Sequence, residues 1–331
     1  MNGEREHLRA ALKRMEAFDP AITNAHRVIH GAADGWEGWQ VDRYGGWLLS
    51  QAQSPLNRRR REFLAALLES ADGIRGAYHK RLDRKVRESS PEQASPQLAL
   101  GESAPDEFEV LENGLRYAIR FREGYSVGLF LDQRDNRRRM AVNDRKIDPG
   151  LPGELPRGAE VLNAFSYTCA FSVCAGRAGA RATSLDLSRK CLDWGRRNFE
   201  LNGQCPEDHD FIYGDAFDWM KRLANKGRLF DMVILDPPTF SKSKKHGLFQ
   251  TERNYGDLVE RALPLLGRGG LLFASCNTAR LDAAQFEASV KGAVSARGRR
   301  LARVHTPGQP ADFPVSRETP AYLKQIWARV D

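Results

Sequence analysis

The chain has 331 residues, of which 41% are hydrophobic and 28% charged, enough to bury the cores of two domains. Its formal net charge is +8, and its five cysteines form no CxxC pair and no zinc-ligand spacing, which excludes a legible disulfide framework or zinc site. No apolar run approaches the roughly 20 residues that cross a bilayer, and the polar start Met1-Asn-Gly-Glu-Arg-Glu-His7 lacks a secretory pattern, so a cytosolic protein with reduced thiols is expected.

In chain order, Leu8, Leu12 and Met15 fall at helical spacing within 5–17. Residues 24–53 read as short strands broken at Asp34-Gly35, Glu37-Gly38 and Gly45-Gly46, and a charged helix follows at 58–70. Residues 88–107, rich in Ser, Pro, Glu and Gln, are expected to form a mobile loop. Phe108 to Phe121 reads as a hairpin turning at Asn113-Gly114. A Pro/Gly-rich connection at 148–156 suggests a domain boundary. The expected division is a small α+β domain at 1–107, a hairpin and connecting segment at 108–150, and a catalytic domain at 151–331.

From residue 159 strands alternate with helices. Strands are expected near 159–164, 181–186, 209–214, 230–235 and 270–275, and helices near 169–178, 189–201, 216–224 and 255–266. A helix at 283–296 and strands at 300–305 and 321–329 complete an α/β, Rossmann-like, doubly wound sheet of seven strands. Such sheets bind ligands at the carboxyl ends of their strands. The first strand runs into Ser166-Tyr167-Thr168 rather than GxGxxG, so a dinucleotide pyrophosphate is poorly served. The second strand ends in Asp186, suited to ribose hydroxyls, and the third is followed by Asp215, suited to an adenine amino group. The fourth, Phe230 to Leu235, ends in Asp236-Pro237-Pro238, where paired prolines force the chain out of the sheet. Three acids at consecutive strand ends, with a first turn built for no phosphate, suit S-adenosylmethionine. A nicotinamide-dependent oxidoreductase is the rival that this turn disfavours.

These motifs resemble those of the bacterial large-subunit rRNA methyltransferases of the 5-methylcytosine type and their close relatives. The matching segments are Tyr125-Ser-Val-Gly-Leu-Phe-Leu-Asp-Gln-Arg-Asp-Asn-Arg137, Val161-Leu-Asn-Ala-Phe-Ser-Tyr-Thr168, Ser184-Leu-Asp-Leu-Ser188, Asn198-Phe-Glu-Leu-Asn-Gly203, Asp236-Pro-Pro-Thr-Phe240, Ser275-Cys276-Asn277 and Tyr322-Leu-Lys324. Arg27 to Gly45 resembles the family's central domain. The family commonly begins with a small RNA-binding barrel, for which there is no room before residue 24. Where methylcytosine members carry Ser-Cys-Ser this chain has Ser275-Cys276-Asn277, and Thr239-Phe240-Ser241 looks closer to relatives that methylate guanine at ring nitrogen 7.

The resemblance implies an S-adenosylmethionine site made by Gln133, Asn163, Phe165, Ser166, Tyr167, Thr168, Asp186, Leu187, Ser188, Asn202, Asp215, Ala216, Asp236 and Pro237. Pro238, Phe240, Lys244 and Arg134 are then expected to face the substrate, with Asp236 and Cys276 catalytic. Carbon 5 of cytosine requires a nucleophile at carbon 6, and Cys276 would supply it as a thiolate; the alternative is a small buried packing residue. Methylation of cytosine at carbon 5 through a Cys276 adduct is thus the expected reaction, and methylation of guanine at N7 or another nitrogen, which requires no nucleophile, is the alternative. Tyr125 and Phe130 are either core or stacked on an exposed base. The basic runs Arg58–Arg61, Lys80–Arg87, Arg134–Arg139 and Lys242–Lys245 either contact RNA phosphates or form solvated faces. RNA, in the form of large-subunit rRNA or an assembly intermediate, is the expected partner, with a homodimer as a further expectation. A non-catalytic RNA-binding protein on the same fold, or methylation of DNA, protein or a small molecule, stands as the alternative.

Overall fold

The computed structural model describes residues 2–82, 95–124, 126–243, 247–278 and 280–331. They form two compact units, one of residues 1–134 with 309–320 and the other of 135–308 with 321–331. The expected boundaries at 107 and 150 are therefore not where the chain divides. The hairpin belongs to the first unit, and the distant segment 309–320 returns to it.

The first unit contains α1 (Asn2–Glu16), β1 (Ala25–His30), β2 (Trp39–Tyr44), β3 (Trp47–Ala52), α2 (Arg58–Ser70), β4 (Gly76–Arg81) and β5 (Gln97–Gly101). The strands make one sheet in the order β1-β2-β3-β4-β5, with only β3 and β4 parallel and α2 as their crossover. Trp39, Leu48, Phe63, Leu64 and Leu67 share its apolar core. Residues 97–101, expected in a loop, are the sheet's edge strand. The hairpin is β6 (Phe108–Glu112) and β7 (Leu115–Ile119). Its Asn113 and Gly114 sit at φ of 52° and 76°, the left-handed pair that a two-residue turn requires.

The second unit follows through α3 (Arg134–Val142), β8 (Glu160–Ala164), α4 (Ala170–Arg177), β9 (Arg181–Asp186), α5 (Arg189–Leu201), β10 (Asp210–Tyr213), α6 (Ala216–Asn225) and β11 (Phe230–Leu235). Then come the short hairpin β12 (Phe240–Ser243) and β13 (Gly247–Gln250), α7 (Thr251–Ala262), β14 (Leu266–Cys276), α8 (Ala283–Ala296), β15 (Leu301–His305) and β16 (Lys324–Val330). The sheet order is β10-β9-β8-β11-β14-β16-β15, parallel except for β16, which runs against both its neighbours. Helix α7 begins earlier than its apolar pattern implied. It closes at Ala262, because Leu263-Pro264-Leu265 tightens into a 3-10 turn. Among the described residues, no helix is long and apolar enough to cross a membrane.

Candidate functional site

Strand register brings the predicted acids to one edge. Ala164 pairs with both Leu185 and Leu235, Leu235 pairs with Ala274, and Asp186 pairs with Tyr213. Phe165, Asp186, Asp236 and Ser275, each at or one step past a paired end, thus lie in one row, with Asp215 two residues beyond Tyr213. The strand order reverses between β8 and β11, and the crevice of such a sheet opens there.

The turn after β8 is strained. Phe165, Tyr167 and Cys169 have φ of 62°, 49° and 61°, each a left-handed conformation costing a side-chain-bearing residue about 1–3 kcal/mol. Hydrogen bonds hold it in place. The Tyr167 amide donates to Asp186 Oδ2 at 2.8 Å, the Ser166 amide to Leu185 O at 3.0 Å, and Asn198 Nδ2 to Thr168 O at 2.9 Å. Gly195 on α5 lets the turn approach, since a Cβ there would lie 2.3 Å from Cys169 Sγ.

Asp186 Oδ1 accepts the Ser188 amide at 2.8 Å. Both carboxylate oxygens therefore hold backbone amides, and the acceptor capacity left over suits a vicinal diol. Burial raises the Asp186 pKa above its usual 3.8, opposed by the amides of Tyr167, Ser188 and Leu187. Leu187 and Tyr213, beside it in sequence and register, stay 42% and 52% exposed and offer apolar surface to a flat ring. Asp215 caps α6 by accepting the Asp218 amide at 3.1 Å, with Ala216 as that helix's first residue.

Several expected contacts are spent elsewhere. Asn163 is buried and its Nδ2 donates to Ser172 Oγ at 2.9 Å, inside the sheet–helix interface rather than into the crevice. The Thr168 side chain is fully buried. Asn202 caps the far end of α5, where the chain turns back to start β10, so it sits at the opposite edge of the sheet from Asp186. Gln133 is buried in the 131–133 turn of the first unit. Arg134 is no free substrate contact. Its guanidinium is bidentate to Asp312 at 2.8 and 2.6 Å and lies over the Phe18 ring. Arg137 and Arg139 are buried too, and of this run's arginines only Arg138 is exposed, so the run as a whole forms neither a solvated face nor a phosphate ridge. In the Arg58–Arg61 run, Arg58 and Arg59 pair with Glu62 and Glu4. Phe130 is 50% exposed, which speaks against the core alternative and leaves the base-stacking one. Tyr125, Lys244 and much of the Lys80–Arg87 run lie outside the described residues.

On the other side of the switch, Pro237 is buried, Pro238 is exposed and Phe240 is 40% exposed. The loop is tied down: Thr251 Oγ1 donates to Pro238 O at 2.8 Å, the Thr251 amide to Thr239 O at 3.2 Å, and Thr239 Oγ1 to Asn277 Oδ1 at 2.9 Å. Cys276 is wholly buried and packs in the apolar cluster with Ala274, Tyr255 and Phe286. Burial pushes its thiol pKa up, partly offset by the Thr278 amide and by the Lys324 ammonium, which itself donates to Thr278 O and Tyr322 O. Thr251 and Tyr255 were not singled out in the sequence, and Lys324 closed a matching segment with no role assigned to it. A threonine, a core aromatic and a strand lysine carry no signal until the fold aims them.

A family model described as S-adenosylmethionine-dependent methyltransferase matches residues 56–321. A Deinococcus radiodurans protein named ribosomal RNA large subunit methyltransferase is 35% identical over 98% of this chain and 78% of its own length. Ribosomal RNA large subunit methyltransferase I of Aeromonas salmonicida is 30% identical over 97% of this chain and 80% of its own. The crystal structure of SMU.776 complexed with SAH superposes with a TM-score of 0.82 at 26% identity, covering 98% of this chain and 81% of that one. With a sheet, a diol-ready carboxylate and relatives in agreement, the chain belongs to the S-adenosylmethionine-dependent methyltransferase family.

Proposed function

We propose that this enzyme methylates a base of large-subunit ribosomal RNA, at a ring nitrogen such as guanine N7 and without a covalent enzyme adduct. The names of its relatives support the RNA, and the burial of Cys276 supports the chemistry. When bound, the cofactor supplies an electrophilic methyl group on a sulfonium. Asp186 would hold its ribose, the strained 165–168 turn its amino-acid end, and Leu187 with Tyr213 the faces of its adenine.

Guanine offers a carboxylate two donors, its N1–H and its exocyclic amine, and Asp236 at the switch point would accept them. Methylation at N7 removes no proton and leaves a positive charge on the purine. A carboxylate fixed at the strand end opposes that charge where it develops. Phe240, exposed beside the loop, would stack on the base.

A second reading, cytosine carbon 5 through a Cys276 adduct, draws support from the Thr278 amide and Lys324 charge beside the thiol. One experiment separates the two. Under the nitrogen reading Cys276→Ala should keep turnover within about 3-fold of the parent. Mass spectrometry of the product should then give 7-methylguanosine, and RNA containing 5-fluorocytidine should form no covalent complex. Loss of turnover in that variant together with a trapped complex would reverse the assignment to cytosine.

The cofactor assignment has its own test. Asp186→Ala should weaken S-adenosylhomocysteine binding by about 1–3 kcal/mol, the range for leaving charged hydrogen-bond partners unmatched. Calorimetry showing unchanged affinity would remove Asp186 from the ribose site.

A further inference from the structure

We infer that Tyr255 and Thr251 are positioning residues for methyl transfer, a two-point clamp on α7 that sets where Asp236 and its loop stand. The inference rests on the proposed function for its substrate, but its geometry is independent of it.

Helix α7 buries Thr251, Tyr255, Leu258, Val259 and Ala262, a stripe at i, i+4, i+7, i+8 and i+11 facing the sheet. The first two members of the stripe are polar at their tips. One turn apart on the same face, they reach two successive points of one loop. The Tyr255 hydroxyl donates to Leu235 O at 2.9 Å and accepts the Ser275 amide at 2.9 Å. Leu235 immediately precedes Asp236, and Ser275 immediately precedes Cys276. This single hydroxyl thus ties the ends of β11 and β14 where they lead into Asp236 and Cys276.

Thr251 holds the loop farther out, through Pro238 O and Thr239 O. Between these two points lie Asp236 and Pro237. Two prolines stiffen the segment but fix neither end in space, and Pro237 and Pro238 have no N–H with which to pair. The clamp supplies the anchorage that the loop's own backbone lacks. Tyr255 keeps its proton, because burial raises its pKa well above the ordinary value of 10, reinforced by the Asp236 carboxylate. It therefore stays a donor to Leu235 at any working pH, and its ring is fixed edge-on against Phe286. A hydroxyl needed only for stability could sit anywhere along α7; these two sit at the one loop that carries the predicted base contact.

The test compares Tyr255→Phe, Thr251→Val, Thr251→Ser and the Phe/Val double variant, each in the full chain. With large-subunit rRNA from cells lacking the enzyme, Tyr255→Phe and Thr251→Val should each lower kcat at least about 10-fold. KM for the RNA and affinity for S-adenosylhomocysteine should stay within about 3-fold. Thr251→Ser, which keeps the hydroxyl, should restore kcat. The double variant should lose less than the product of the two single losses, since both act on one loop. Hydrogen exchange of the S-adenosylhomocysteine-bound proteins needs no RNA. It should quicken at 236–240 and 275–278 in Tyr255→Phe and not elsewhere in the sheet. Unchanged exchange there, a kcat equal to the parent's, or parallel losses of kcat and cofactor affinity would overturn the clamp. If Tyr255→Phe does not fold, Thr251→Val against Thr251→Ser decides. If the parent chain methylates no rRNA, the proposed function falls and the exchange result alone judges the clamp.

Discussion

Asp312→Ala should destabilise the first unit by about 3–5 kcal/mol, the range for removing one member of a buried ion pair. Asp312 is 1% exposed and its partner Arg134 is 5% exposed. The carboxylate accepts both Arg134 nitrogens and also the Arg27 amide at 2.8 Å, so three donors lose their acceptor at once. Arg27 retains Asp42, at 2.5 Å from its Nε, and lies over the Phe313 ring, whereas the Arg134 guanidinium, stacked over Phe18, loses both of its hydrogen bonds to Asp312. Asp312→Asn keeps the shape and should cost less. Denaturant unfolding of that unit would measure both, and a loss under about 1 kcal/mol, the value for an exposed pair, would refute the account.

The same cluster fixes the sign of the acid response. Burial works to raise the Asp312 pKa, but the Arg134 hydrogen bonds and charge and the Arg27 amide outweigh it and hold the group below 3.8. Its stabilisation is therefore complete above the unfolded value and lost as pH falls through the lower folded one. His26 and His30, lowered from 6.5 to about 4 first by burial, bind fewer protons folded than unfolded between those values. Stability of the unit should thus begin to fall below about pH 6.5 and fall further where Asp312 protonates. Asp42 runs the other way, since burial raises its pKa despite Arg27, and it moderates the acid limb.

This cluster also marks what a sequence withholds. Arg134 and Asp312 stand 178 positions apart, and nothing local distinguishes Arg134 from an arginine waiting for phosphate. Asn163 likewise looked like a crevice residue because it stands on the first strand, but its amide turns inward to Ser172. Asn202 belonged to a matching segment, yet a helix that follows a parallel strand carries its far end to the opposite edge. By contrast the strands of the second sheet were legible. Buried on both faces, β11 and β14 read as apolar runs such as Met232 to Leu235 and Leu271 to Ala274. Asp236, the acid that follows β11, was legible for the same reason, because a charge that ends such a run has only the sheet's edge to occupy. The edge strand Gln97–Gly101 was missed. Only partly covered, it needs no apolar alternation to stay in place.

Asp236→Asn should lower methyl transfer to large-subunit rRNA by about 10²–10³-fold, the loss typical when one preorganised electrostatic contact to a developing charge is removed. The substitution keeps size and shape, so the Pro237-Pro238 loop and its ties to Thr251 and Asn277 should persist. Two things change. The amide oxygen accepts one base donor where the carboxylate accepted two, and the new NH2 group meets the remaining donor head-on. The negative charge that would offset the methylated purine is also gone. S-adenosylhomocysteine affinity should move only a few-fold, because the carboxylate proposed to hold the ribose is Asp186, on the far side of β8 in the sheet order. Single-turnover kinetics at saturating cofactor would isolate the transfer step from binding and release. A rate within about 10-fold of the parent would mean that the base is held by something other than this carboxylate. Equal losses in rate and cofactor affinity would instead assign Asp236 to the cofactor, and leave Phe240 and Asn277 as the groups that meet the base.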